Sequence, residues 1–280
     1  MKQVKGLYKL SRPLSTLSGV LAVFLGGYVA GTGEWLRVTL AAVSTLLISA
    51  AANAWNDYLD VEIDKINQPQ RPLPSGMVSL RTARNFSFIL AVLSVVLAGF
   101  INWQAFLIAF TSNVLLYVYS LRMKSTVLVG NAIVAFISAM SAVFGGVAAG
   151  NILPTFWLAI IIVCGIMGRE VLKTMADYEG DLSQRVRTIA TAWGKRPARV
   201  VFYILGSMTL LMMMVPQLLR VYHPVYGYVV GFGVYPVVLY IMLRVTRERT
   251  GPQLEKLSQL MKYDFLIWFL AVMLGASIKM

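Results

Sequence analysis

Residues 53–64 read NAWNDYLDVEID, two asparagines, three aspartates and a glutamate at the end of an apolar run. Carboxylates at the edge of a bilayer are costly to place, so the cluster needs a chemical reason. Read as a helix, Asn53, Asn56, Asp57, Asp60 and Asp64 fall at i, i+3, i+4, i+7 and i+11 and share one face, while Glu62 falls off it. A second stretch, GREVLKTMADYEGD, behaves alike: Arg169, Lys173, Asp177 and Asp181 are spaced by four, and Glu179 points elsewhere. Like charges at such spacings repel. A divalent cation removes the repulsion, and carboxylates with asparagine carbonyls are hard oxygen ligands suited to Mg²⁺. Because Mg²⁺ is commonly held by a few carboxylates plus phosphate oxygens, two such stripes facing each other are expected to grip a diphosphate. The candidate metal ligands are Asn56, Asp57, Asp60, Asp64, Asp177 and Asp181. A solvated helix end explains one such cluster equally well; two, each on one face and on the same side of a membrane, fit it poorly.

Basic and polar residues complete the pattern. The proline-rich NQPQRPLPSG (67–76) turns the chain so that Arg71 lies near the first cluster. The YSLRMK stretch (119–124) brings Tyr119, Ser120, Arg122 and Lys124, and Arg12 precedes Pro13 at the mouth of the first span. Each alone reads as a topology-setting or headgroup-binding charge. Together they neutralise phosphates. The candidate substrate-binding set is therefore Arg12, Asn53, Arg71, Tyr119, Ser120, Arg122, Lys124 and Lys173. Lys173 is expected to contact the diphosphate or polarise its leaving oxygen, and the catalytic assignment falls on Asp60, Asp64, Lys173 and Asp181.

The elements carrying these residues are membrane helices. The 280-residue chain is 58% hydrophobic and 13% charged, with mean hydropathy +0.70, against about 25% charged residues in soluble domains. Nine spans of roughly bilayer length appear, near 14–31, 38–55, 86–101, 104–121, 127–149, 152–168, 200–218, 225–243 and 264–279. With the N-terminus in the cytoplasm, all 25 Lys and Arg except Arg37, Arg220 and Lys279 fall on the cytoplasmic side. That bias supports the count and puts the C-terminus outside. It also accounts for the net charge of +13 without nucleic acid. The expectation is an all-α, polytopic membrane protein over 1–280 as a single domain. Nine helices would surround a central cavity, with cytoplasmic caps at about 56–85 and 169–199 bearing the acids. The pairing of Asp57 with Asp177 suggests a loose internal repeat.

Other features read blandly. One histidine and one cysteine argue against a zinc site, and Cys164 reads as a small buried or lipid-facing residue. No cleavable signal is evident. His223 lies in an outer loop, LLMMMV (210–215) reads as packing or lipid-facing, and Gly26-Gly27 and Gly145-Gly146 read as close helix contacts. An ion-coupled transporter would carry its acids mid-span, whereas these lie at helix ends. The DG…AR pattern of CDP-alcohol phosphatidyltransferases is absent.

At these residues the sequence resembles the UbiA-type superfamily of intramembrane prenyltransferases. The motif NDxxDxxxD stands here as Asn56, Asp57, Asp60 and Asp64, and DxxxD as Asp177 and Asp181. The resemblance covers nearly the whole chain. It implies Mg²⁺ bridging the aspartates and the diphosphate of a polyprenyl donor, an acceptor attacking C1 of the prenyl chain, and a tunnel open to lipid. Within the superfamily, DVEIDKINQPQRPLPSG and REVLKTMADYEGD are most similar to the digeranylgeranylglyceryl phosphate synthases, the branch that makes archaeal-type ether lipids. The sequence departs from that branch at Thr174 and at RTIAT (187–191). The implied donor is geranylgeranyl diphosphate and the implied acceptor the hydroxyl of geranylgeranylglyceryl phosphate. An aromatic quinone precursor or a tetrapyrrole is the alternative acceptor.

Overall fold

The computed structural model describes residues 2–245 and 250–277, so Arg247, Arg249 and Lys279 of the charge count lie outside the described residues. The chain divides into two compact units: residues 1–124 with 140–155, and 125–139 with 156–280. Among the described residues, eight helices are long and apolar enough to cross a membrane, and a bent pair, Gln3–Ser11 and Thr16–Val29 at 55°, supplies a ninth if counted as one broken span.

The first unit holds α1 (Lys2–Ser11), α2 (Pro13–Val29), α3 (Trp35–Leu59), α4 (Val61–Asn67), α5 (Leu80–Gly99), α6 (Trp103–Val118) and the latter part of α7 (Val129–Ala148). The predicted link of little more than Asn-Trp between two spans works because Asn102 caps α6. Its Oδ1 accepts from the Ala105 N–H at 2.8 Å and its Nδ2 donates to the Val147 carbonyl at 3.1 Å. The glycine pairs do what their spacing suggests. A Cβ at Gly26 would stand 1.9 Å from the Ala142 carbonyl oxygen, and one at Gly145 1.9 Å from that of Val23.

The second unit holds the start of α7, α8 (Phe156–Ala176), α9 (Tyr178–Ser183), α10 (Ile189–Trp193), α11 (Lys195–Leu218), α12 (Val225–Val229), α13 (Tyr235–Arg244) and α14 (Gly251–Ser277). Val171, Leu172, Phe202, Ile241 and Met261 form its core. Cys164 is buried. The spans expected to be short, 86–101 and 152–168, are longer. The first helix starts at Leu80, capped by the Ser79 hydroxyl accepting from the Thr82 N–H, and the second runs on through Arg169 to Ala176. Hydropathy marks only the apolar middle of a helix whose ends are polar.

Each unit ends one long helix at an aspartate. Asp60 (φ −88°, ψ 6°) separates α3 from α4, and Asp177 (φ −86°, ψ 4°) separates α8 from α9. The i→i−4 bonds continue through both breaks: Asp60 N–H to the Asn56 carbonyl, Asp64 to Asp60, Asp177 to Lys173 and Asp181 to Asp177, all at 2.8–2.9 Å. Each stripe therefore keeps its face through its break. Aligned on these two breaks, Asp60 corresponds to Asp177 and Asp64 to Asp181.

Candidate active site

In the first unit Asp57 and Asp64 are buried and Asp60 is half-buried. Buried carboxylates need compensation, and three cations provide it. Arg71 Nη1 donates to both Asp64 oxygens at 2.8 and 2.7 Å and lies 3.7 Å from Asp57 Oδ1. Arg12 pairs with Asp57. Lys124 Nζ lies 2.5 Å from Asp60 Oδ2.

The local folding that delivers these cations is specific. Arg12 sits between α1 and α2 in the left-handed region (φ 47°, ψ 58°), a conformation that a non-glycine residue holds only when its surroundings enforce it. Asn53 Nδ2 donates to the Ser11 carbonyl at 3.2 Å, which fixes the residue before Arg12. The proline-rich turn closes through Ser75 N–H to the Arg71 carbonyl and Met77 N–H to the Pro72 carbonyl, with Gly76 at φ +68°. Buried Leu73 and Val78 anchor it against Leu10, Ala54 and Ala83. Lys124 follows a π-helical turn, Tyr119–Met123, that ends α6. Such turns recur at functional sites. Tyr119 and Ser120 are half-buried, the Ser120 hydroxyl donates back to the Leu116 carbonyl at 2.8 Å, and Arg122 is exposed. Of the predicted substrate-binding residues in this unit, Arg12, Arg71 and Lys124 thus meet the aspartates, and Asn53 supports Arg12.

In the second unit Asp177 is exposed and Asp181 half-buried. Lys173 Nζ lies 3.4 and 3.5 Å from the Glu170 oxygens, and Arg169 Nη1 lies 3.2 Å from Glu170 Oε1. Sequence reasoning missed Glu170, because stepping by fours from Arg169 passes over it; the signal was its i,i+3 spacing to Lys173. Glu62 and Glu179 stand off the stripes as expected, paired with Lys65 at 2.7 Å and Lys195 at 3.3 Å. The two departures from the ether-lipid branch also leave the stripe alone. Thr174 is buried with its hydroxyl on the Val171 carbonyl, and Thr188 and Thr191 form the capping box of α10.

Among the described residues no three acids converge on one point. The two buried acids of the first unit instead flank one guanidinium, Arg71. That donor set fits Mg²⁺, which takes one or two carboxylates and completes its shell with phosphate oxygens and water rather than a protein cage.

Residues 18–272 match the UbiA prenyltransferase family. The chain belongs to the UbiA prenyltransferase family. Its relatives include the digeranylgeranylglyceryl phosphate synthases of Methanopyrus kandleri, 35% identical over 69% of this chain and 71% of that one, and of Methanothermobacter thermautotrophicus, 30% identical over 96% and 95%. A solved structure described as digeranylgeranylglyceryl phosphate synthase in membranes superposes with a TM-score of 0.83 at 29% identity, covering 99% of both chains. A UbiA homologue from Archaeoglobus fulgidus bound to GPP and Mg²⁺ shares the fold, with a TM-score of 0.71 at 19% identity over 94% of this chain and 99% of that one. This UbiA prenyltransferase is accordingly an all-α, multi-pass membrane enzyme.

Proposed function

We propose that the enzyme transfers a geranylgeranyl group from its diphosphate to the free hydroxyl of geranylgeranylglyceryl phosphate, a step of ether-lipid synthesis. The observation that carries this reading is the near full-length match to relatives named for that product, together with departures from their pattern that fall off the aspartate stripes. The relatives named above carry a glycerol phosphate in their names, and no observation favours an aromatic or tetrapyrrole acceptor.

In this reading Asp57, Asp60, Asp64, Asp177 and Asp181, with Asn56, would hold Mg²⁺ and the donor diphosphate, and the chain works as a single domain. Bound Mg²⁺ supplies charge neutralisation on the leaving diphosphate. Arg12, Arg71, Lys124 and Lys173 add fixed positive charge where negative charge develops. Tyr119, Ser120 and Arg122 lie on the substrate side, and Asn53 orients its neighbours. The bond from prenyl C1 to the diphosphate oxygen breaks, the bond from C1 to the acceptor oxygen forms, and the hydroxyl proton leaves with the diphosphate. The prenyl chain lies in an apolar tunnel open to membrane lipid, which keeps water from the electron-deficient C1. The caps, the N-terminus and the active site face the cytoplasm.

The test is turnover in nanodiscs with labelled geranylgeranyl diphosphate and Mg²⁺. Geranylgeranylglyceryl phosphate and aromatic acceptors go in parallel tubes. The expected product is a doubly prenylated glycerol phosphate, lost on adding EDTA. Transfer only to an aromatic ring would overturn the acceptor; no transfer by folded protein would overturn the reaction.

A further inference from the structure

The correspondence of Asp60 with Asp177 extends backward along both helices. One turn before each break stand Asn56 and Lys173, and seven residues before it stand Asn53 in α3 and Glu170 in α8. Asn53 tethers a cation of the first unit indirectly, by donating to the carbonyl of Ser11, the residue before Arg12. At the same register in the second unit Glu170 holds cations directly: Lys173 at 3.4 Å and Arg169 at 3.2 Å.

The Glu170 side chain is only 14% exposed, whereas that of Lys173 is 36% exposed. A lysine ammonium on a four-carbon stem has no preferred position of its own; the more buried carboxylate one turn below supplies one. Glu170 is itself held, because Arg169 Nε donates to the Ser258 carbonyl of α14 at 3.2 Å while its Nη1 meets Glu170. A chain of contacts thus runs from α14 through Arg169 and Glu170 to Lys173, within one unit, and ends one turn before Asp177.

We propose that Glu170 is a positioning residue: it holds the Lys173 ammonium on the Asp177 stripe, where Lys173 meets the donor diphosphate. This rests on the proposed function for its ligand. In the two units one helix register performs one task, fixing a site cation, by an amide on a backbone carbonyl in the first and by a carboxylate on the cation in the second.

The test is a double-mutant cycle on the full chain in nanodiscs, using Glu170→Gln, Glu170→Asp, Lys173→Met and the double variant that combines Glu170→Gln with Lys173→Met. Binding of inorganic pyrophosphate with Mg²⁺ is read by calorimetry and prenyl transfer is read in parallel. Glu170→Gln is expected to weaken pyrophosphate binding about tenfold, the scale of a lost hydrogen bond to a charged group, and as far as Lys173→Met does. The double variant is expected to bind no worse than Lys173→Met, and Glu170→Asp to recover part of the loss. In transfer the donor KM rises more than kcat falls. Losses that add, Glu170→Gln binding at the wild-type level, or no pyrophosphate binding by the wild type would each overturn the proposal. Should Glu170→Gln fail to fold, Glu170→Asp, alone and combined with Lys173→Met, carries the cycle. A loss seen with Lys173 present and absent in the Lys173→Met background supports the proposal; equal loss in both backgrounds overturns it. Intact coupling in a wild type that transfers no prenyl group supports the positioning role and counts against the reaction instead.

Discussion

Asp64 and Arg71 meet through two bonds to one nitrogen, and the same guanidinium lies beside Asp57. A lysine ammonium at this position stops one bond short of where Nη1 stands, so it cannot reach Asp64 and Asp57 together from the same backbone. Arg71→Lys is therefore expected to keep the fold and lower kcat/KM by about tenfold to a hundredfold, the worth of one hydrogen bond between charged groups. Asp60 differs from its neighbours because it is half-buried and its cation, Lys124, stands just after the π-helical turn. Asp60→Asn keeps the shape, removes the charge and leaves Lys124 uncompensated. Mg²⁺-dependent transfer is expected to fall by about 10²- to 10³-fold, as when one preorganised electrostatic contact is lost, and half-saturation is expected to need more Mg²⁺. Turnover of Asp60→Asn at the wild-type rate across a Mg²⁺ titration would remove Asp60 from the site.

At the scale of elements, glycines let two helices approach backbone to backbone. With a carbonyl oxygen 1.9 Å from where a Cβ would stand, Gly26→Ala and Gly145→Ala force backbone away from backbone, and no side-chain rotation relieves that. Each is expected to cost about 1–3 kcal/mol or more, the range for overpacking. Gly33→Ala, where an added Cβ meets nothing within 4 Å, is the matched control. Thermal unfolding in detergent checks all three, and equal midpoints would mean that the approach is not rigid. The glycine pairs were legible in the sequence because small residues at helix contacts leave few other uses in a membrane span. So were the two aspartate stripes and the turn carrying Arg71, since period and proline placement are local signals. The breaks at Asp60 and Asp177 were not. The i→i−4 bonds persist through them, so the face pattern runs on unbroken and gives no sign of where each long helix ends. The ion pairs of Arg12 with Asp57 and Lys124 with Asp60 join residues far apart in sequence, and no spacing rule reaches that distance.

At the scale of the whole molecule, the proposed reaction needs both aspartate-bearing ends on the side where charged diphosphate is made. The distribution of Lys and Arg, which the insertion machinery reads over short loops, favours that orientation. The chain offers a clean way to check it, because its one cysteine, Cys164, is buried and gives little background to a membrane-impermeant thiol reagent. Gln70 and Ser183, in the two cap segments, are exposed, as are Asn151 and Val221 in loops expected on the other side. In cells, single cysteines at 70 and 183 are expected to label only after the membrane is opened, and those at 151 and 221 to label from outside. Reversal of all four would invert the topology and place the aspartates outside, against the proposed reaction. Labelling of 70 and 183 from opposite sides would separate the two acid segments and refute a shared diphosphate site, whatever the turnover of either aspartate variant.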